Sequence, residues 1–251
     1  MPGLETVGEL PAVYMRTHRI LILADTHIGF EEEISSKGGY IPRFQLKNTL
    51  RILEEAFSSV SVDRVIFAGD IKHLFNTLGR LEKLELAELL TYVKKHVEDV
   101  VVVRGNHDNF LPAMRKRFDF EIVDSFLLPP FIVVHGHKQL GEELSSQSWS
   151  YLIMGHEHPS IALRDTIGFI GKFSCFLVGN MLNYGKKVVV LPAVGIYQTG
   201  SKVTLTRDTY LSPIMREYVD IETLKPVVVT SDIGVLEFPA LRELHDIMIQ
   251  K

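Results

Sequence analysis

Cysteine and tryptophan each occur once in 251 residues, and the formal net charge is only −4. A single cysteine excludes an internal disulfide framework and any cysteine-rich zinc site. Its place in the apolar run Phe173-Ser174-Cys175-Phe176-Leu177-Val178 predicts a buried, inert thiol. No uninterrupted apolar stretch is long enough to span a bilayer. Met1 to Thr6 lacks a basic segment leading into an apolar one, so no secretory signal is expected and the cytoplasm is the default compartment. The slight acidic excess argues against holding nucleic acid by net charge alone, while leaving room for a local basic face. Repeats, low-complexity tracts and linker-like breaks in composition are missing as well, so residues 1–251 read as one domain.

What remains is an ordinary globular balance, 46% hydrophobic and 23% charged, which suffices to bury a core without covalent staples. Short β-branched runs alternate with amphipathic segments. Arg19 to Ala24, Arg64 to Ala68, Val100 to Val103, Phe131 to Val134 and Tyr151 to Met154 predict buried strands. Leu46, Leu50, Leu53 and Phe57 recur at helical spacing between the first two, and Leu86, Leu89, Leu90, Val93 and Val97 between the next two. Strand, helix, strand, helix, strand implies crossover connections and a largely parallel α/β sheet. Beyond about residue 165 strand-like runs dominate (Phe173 to Val178, Lys187 to Leu191), which predicts a second sheet packed on the first.

In such folds the chemistry lies on loops after the strands, and here every predicted strand end carries related groups. The first ends in Asp25-Thr26-His27-Ile28-Gly29, the second in Gly69-Asp70-Ile71-Lys72-His73, and the third in Gly105-Asn106-His107-Asp108. The fourth ends in His135-Gly136-His137 and the fifth in Gly155-His156-Glu157-His158. All five should meet at one sheet edge. Carboxylate and imidazole without thiolate suit borderline and hard divalent ions such as manganese, iron(II) or zinc. Asp25 and His27 are two apart, as are His156 and His158, so each pair can project to one side of an extended segment. The glycines before Asp70, Asn106 and His156 let the backbone approach an ion closely.

Asp-x-His, Gly-Asp, Gly-Asn-His-Asp, His-Gly-His and Gly-His-x-His, in that order from Asp25 to His158, resemble the motifs of the calcineurin-like metallophosphoesterases. One motif alone would be weak; five in series after five predicted strands are specific. Asp25-Thr26-His27-Ile28-Gly29 and Gly69-Asp70-Ile71-Lys72-His73 look most like the branch containing the double-strand-break repair nucleases. Gly39-Tyr40-Ile41-Pro42 and the short length are similar to small relatives, some associated with DNA-repair operons. The resemblance implies a two-layer mixed β-sandwich flanked by helices on both faces. It implies one metal held by Asp25, His27, Asp70 and His158, and a second held by Asp70, Asn106, His135 and His156, with Asp70 shared. The two divalent ions would be manganese, with iron, zinc or nickel as alternatives. His107 would be the acid or base beside them, and Asp108 would fix its tautomer and orientation. The implied reaction is phosphoester hydrolysis by a water that the ions acidify.

Three readings of function follow: a phosphodiesterase or nuclease acting on nucleotides or nucleic acid, a phosphomonoesterase for a small metabolite, or a non-catalytic binding scaffold. The scaffold reading is disfavoured because every motif ligand and His107 are present. No membrane partner is expected. The resemblance brings in a DNA-repair protein as a partner to test, and the apolar tail from Val235 to Ile249 reads as a last core helix or as a docking or dimer surface. Of the remaining histidines, His18, His96 and His245 read as structural or solvated. His73 is balanced between a site role and a structural one, and His137, two positions past His135, is a candidate for a place around the ligands rather than among them. Lys72 departs from the aromatic residue often found in the repair nucleases' motif. Arg43, Arg104 and Lys138 are candidate phosphate contacts set against ordinary surface, and Trp149 and Tyr151 read as core.

Overall fold

The strands predicted around the motifs form, but they divide between two sheets. The structure, a computed structural model, describes residues 3–141, 146–164, 168–198, 200–230 and 234–248, without the side chains of residues 164 and 245–248. Strands β1 (Leu4–Thr6), β2 (Ala12–Met15), β3 (Ile20–Leu23), β4 (Arg64–Phe67), β5 (Asp99–Val103) and β6 (Glu121–Val123) lie side by side in that order in a 6-stranded sheet. The β1–β2–β3 pairings are antiparallel, and those from β3 to β6 are parallel. Helices α1 (Phe30–Ser36) and α2 (Gln45–Ser59) make the crossover from β3 to β4, and α3 (Arg80–His96) makes the crossover from β4 to β5.

Past β6 the chain changes layer. Strands β7 (Ser125–Leu128), β8 (Phe131–Val134), β9 (Tyr151–Met154), β10 (Pro159–Arg164), β11 (Phe169–Asn180), β12 (Lys187–Val190), β13 (Ser201–Lys202), β14 (Lys225–Thr230) and β15 (Gly234–Glu237) belong to a 9-stranded sheet. Within it β8, β9 and β12 run parallel, while β11 is long enough to pair with β10 along its first half and with β12 and β14 along its second. The expectation that a second sheet begins near residue 165 is therefore corrected, because β8 and β9 already belong to it. The five motif loops do not share one sheet edge; they meet where two edges face each other. The physical reason the sequence hid this is that both sheets are covered on both faces. Their strands are apolar runs of the same appearance whichever layer they join.

Alternation along each strand sorts the core into three layers. Leu21 and Leu23 of β3, with Val65 and Phe67 of β4, pack outward on Ile52, Leu53 and Ala56 of α2 and Leu86, Leu89 and Leu90 of α3. Ile20, Ile22 and Ile66 point the other way and meet Phe131, Val133, Ile153, Phe176 and Val189 between the sheets. Beyond the second sheet, Ile132, Leu152, Val188 and the inert Cys175 pack on α4 (Pro213–Tyr218), with Trp149 and Leu241 and Leu244 of α5 (Leu241–Met248) in the same layer. The two-layer sandwich with helices on both outer faces is the architecture observed. Leu241 and Leu244 act as core residues, and Trp149 is buried as expected. Among the described residues no helix is long and apolar enough to cross a membrane.

Candidate metal centre

The parallel ladder between β3 and β4 continues past the strands into the first two motifs. The amides of Asp25, His27 and Ile28 donate to the carbonyls of Gly69, Asp70 and Ile71 at 3.0, 2.9 and 3.0 Å. This pins the two loops together while their residues adopt left-handed backbone. Asp25 (φ 58°), His27 (44°), Asp70 (49°), His156 (68°) and His158 (46°) all do so. For non-glycine residues that conformation costs on the order of 1–3 kcal/mol each and persists only where the surroundings enforce it. At Gly69 (φ 92°) a Cβ would overlap the His135 ring, and at Gly105 it would overlap the Asp70 carboxylate. At these two glycines the backbone lies directly against the His135 and Asp70 side chains.

Two groups of ligating atoms result. One nitrogen or oxygen each from Asp25, His27 and His158 lie within 4.8 Å of one another, and the same holds for Asp70, His135 and His156. Asp70 Oδ2 stands 3.3 Å from His135 Nε2 and 3.9 Å from His27 Nε2, so it faces both groups. Asn106 Oδ1 lies 3.2 Å from His135 Nε2. Every sequence-predicted metal ligand is brought to this point. Asp25 Oδ1, His27 Nε2 and His158 Nε2 are buried without a hydrogen-bond partner. Buried polar atoms are normally satisfied, and an orphan asks for an unrecorded partner. Three orphans converging from one carboxylate and two imidazoles fit a divalent cation, and Asp70, His135 and His156 fit a second.

The electrostatics agree with that chemistry at His27 and at the carboxylates, while His135 must release a proton to bind a cation. Burial pulls His27 down to about 3, keeping it neutral with a lone pair to offer. Burial also pulls on His135, but the facing Asp70 and Asp25 carboxylates outweigh it and hold the ring up at about 9. Burial alone would raise Asp70 and Asp25, yet the surrounding imidazoles keep both below the usual carboxylate range. Negative charge is thus concentrated where cations would sit.

The expected role of Asp108 is corrected by the geometry. Its carboxylate does not meet the His107 ring. It accepts from the amides of Gly105 (2.8 Å), Asp70 (2.9 Å), Ile71 (3.1 Å) and Lys72 (3.5 Å), clasping the second motif to the third. The His107 ring is held instead by its Nδ1 donating to the His73 carbonyl. Its Nε2 faces Asp70 Oδ2 at 3.9 Å. His73 therefore belongs to the site: its ring stacks on His107, its Nε2 lies 2.6 Å from Glu33 Oε2, and its Nδ1 lies 3.2 Å from His27 Nδ1. His137 packs its ring against His135 and His156 but joins neither group. With Arg104 and Lys138 it lines a small cavity of about 90 Å³. Arg43 is exposed. Lys72 is buried, with Nζ on the Leu74 carbonyl and 3.7 Å from Glu82 Oε2, so it supports the loop from beneath. His18 and His96 are exposed and remote from the motifs, and the side chain of His245 lies outside the described residues.

Three acidic residues in the supporting structure were missed. Glu33 touches His73. Glu82 accepts from the amides of His73 (2.8 Å), Leu74 (2.7 Å) and Gly79 (3.2 Å). Glu157, buried between two ligands, accepts from Leu211 and Ser212 at 3.1 and 2.9 Å. Only Glu157 carried a signal, its place inside a motif; the other two are acidic residues on helices, where exposed ones are common.

Residues 18–160 match the model of the calcineurin-like phosphoesterases, more than half of the chain, and the protein belongs to that family of metal-dependent phosphoesterases. No curated protein matches the chain by sequence. Among solved structures, the Pseudomonas putida nuclease MPE is similar over 92% of this chain and 93% of its own, at TM-score 0.61 and 22% identity. The E. coli phosphoesterase Yfce aligns over 88% of this chain and 98% of its own, at TM-score 0.41 and 17% identity. The first supports the fold.

Proposed function

We infer that the chain is a dinuclear phosphodiesterase or nuclease acting on nucleotides or nucleic acid. The observation that carries this reading is the set of three buried ligand atoms without an assigned hydrogen bond on Asp25, His27 and His158, of which Asp25 Oδ1 and His158 Nε2 face each other at 3.3 Å, beside Asp70, His135 and His156. When bound, a pair of divalent ions supplies charge neutralisation for the phosphoryl oxygens and acidifies a water. Asp25, His27, Asp70 and His158 would hold one ion; Asp70, Asn106, His135 and His156 would hold the other. Imidazole donors favour manganese, iron, zinc or nickel over magnesium, and manganese is the proposed choice. His107, oriented by the His73 carbonyl, has Nε2 free to give a proton to the leaving oxygen, a contribution typically of about 10²–10⁴-fold. Asp108 acts one step away by fixing the loop that presents Asp70.

The nucleotide preference rests on Phe75, whose half-exposed ring stands edge-on to His107 at 5.5 Å, where a base next to the scissile phosphate could stack. The fold shared with a Pseudomonas nuclease points the same way, as do the motif details similar to the double-strand-break repair branch. A DNA-repair protein or a second copy of the chain is the partner class to test. The deciding experiment incubates the manganese-loaded chain with phosphomonoesters, cyclic nucleotides, and single-stranded and double-stranded DNA. Turnover confined to monoesters overturns the diester reading, and no turnover of any phosphoester overturns catalysis itself.

A further inference from the structure

A third group of imidazoles lies beside the two metal-ligating groups: ring nitrogens of His27, His73 and His107 fall within 4.8 Å of one another. Neither His73 nor Glu33 is needed to complete either set of ligands, yet Glu33 reaches back from α1 to touch His73 at 2.6 Å. Three links are visible: Glu33 Oε2 to His73 Nε2, His73 Nδ1 to His27 Nδ1 at 3.2 Å, and His27 Nε2, buried without a hydrogen bond in the group of Asp25 and His158 and 3.9 Å from Asp70 Oδ2.

We propose that Glu33 and His73 form a relay that sets the tautomer of the metal ligand His27. An imidazole binds a cation through a lone pair, so the nitrogen facing the cation must carry no proton. For His27 that nitrogen is Nε2, which places its proton on Nδ1. The acceptor within reach of Nδ1 is His73 Nδ1, which must then be unprotonated. The neutral His73 ring accordingly carries its proton on Nε2, where the Glu33 carboxylate, an acceptor only, receives it. Each link fixes the next in one direction. Reversing any one would put a proton on His27 Nε2 and close the ligand. His73 also holds His107, through its carbonyl rather than its ring. One residue thus sets the proton positions of two site histidines. Glu33 and His73 are positioning residues, and outer-shell partners of this kind are typically worth about 10–100-fold in metal affinity.

The inference rests on the metal-site reading above, and the experiment keeps the two apart. Manganese is titrated into the full chain, wild type against Glu33→Gln, His73→Leu and His73→Gln, with Lys37→Met as the control for the Lys37–Glu33 ion pair at 2.6 Å. Glu33→Gln and His73→Leu should weaken the site containing His27 about tenfold or more and leave the other unchanged. His73→Gln keeps a carbonyl that can accept from His27 Nδ1 and should restore much of the affinity. In the zinc-loaded chain, nitrogen-15 spectra of the histidines should show the proton of His27 on Nδ1 and that of His73 on Nε2. Wild type and variants binding manganese equally would overturn the relay alone, as would a His27 proton on Nε2. A third equivalent of metal lost in His73→Leu would overturn it in favour of a cation held by the imidazole cluster. A wild-type chain that binds no manganese would overturn the metal-site reading itself.

Discussion

The two clusters of aspartate and histidine draw on the two sheets in opposite proportion. Asp25 and His27 follow β3 of the first sheet and are joined by His158 from the second. His135 and His156 follow β8 and β9 of the second sheet and are joined by Asp70 from the first. Neither layer holds a complete set. A cation in either group therefore fastens one sheet to the other, and the His156 amide already bridges them by donating to Asp25 Oδ2 at 2.9 Å. The layers also differ in support. The first-sheet loops are held by extended pairing and by Asp108, whereas the second-sheet loops are tied down by Glu157 and by Ser212, whose hydroxyl donates to the Gly136 carbonyl at 2.6 Å. Binding to the folded state alone raises its stability by mass action. Manganese should raise the unfolding temperature of the wild-type chain, and a chelator should reverse it.

Asp70→Asn should break this comparison most severely, since Asp70 faces both groups. Occupancy should fall at both sites and turnover should vanish. His135→Ala should weaken mainly the site shared with His156. A two-site manganese titration measures this; identical losses in the two variants would show that Asp70 serves one ion only.

Asp108→Asn should come next. An amide nitrogen placed among four backbone N–H donors leaves a donor facing donors, and the clasp between the second and third motifs loosens. Removing a charged partner from buried donors costs about 1.5–3 kcal/mol. The variant should lose stability and metal affinity at both sites. The alternative, in which Asp108 acts on the His107 imidazole, would appear as normal metal binding with a changed dependence of rate on leaving-group pKa.

His107→Gln should then separate chemistry from metal binding. Both ions and the fold should remain, while activity on esters of nucleoside alkoxides should fall by about 10²-fold or more. With a nitrophenolate leaving group, which hardly needs a proton, the loss should be much smaller. Log rate plotted against leaving-group pKa should be steeper for the variant than for wild type. Parallel lines would assign His107 to stabilising the transferring phosphoryl group instead.

Much of this site was legible because the candidate ligands follow strands and the strands are strongly patterned. Phe131 to Val134 and Tyr151 to Met154 have the bounds observed, and each motif residue named as a metal ligand stands at the centre. Sheet membership was not legible, because β4 and β9 are both buried runs and periodicity says nothing of which layer receives them. The role of Asp108 was misread because sequence adjacency to His107 suggested ring contact. In fact a turn beginning at Gly105 sends the carboxylate back under the Asp70 loop, away from its neighbour's ring. Glu33 and His73 become informative only once folding brings residues 40 positions apart to 2.6 Å.

Glu85→Gln gives the smallest expected effect and serves as the counterpart to the metal centre, for here the first sheet's outer layer buries a carboxylate whose burial and acidic neighbours outweigh the pull of Arg43. Glu85 lies on α3, nearly buried, with Oε2 unpartnered. Burial, and then the charge of Glu31, raises its pKa to about 7 from 4.5, against the weaker opposing pull of Arg43. The folded state therefore holds this proton more tightly than the unfolded chain does. The group costs nothing below the unfolded value, and its penalty grows as pH rises from about 4.5 to about 7 and is complete above that. The neutral amide of Glu85→Gln escapes the penalty. Allowing for partial solvation, the gain should be about 1–2 kcal/mol near pH 8, or roughly 3–6 °C in Tm, and should vanish near pH 4. Thermal melts of both chains across that range, with and without manganese, test it. The gain should not depend on the metal, whereas the changes in Asp70→Asn and Asp108→Asn should. A gain that persists unchanged at low pH would mean that the amide stabilises by packing and that Glu85 is ionised without strain in the fold.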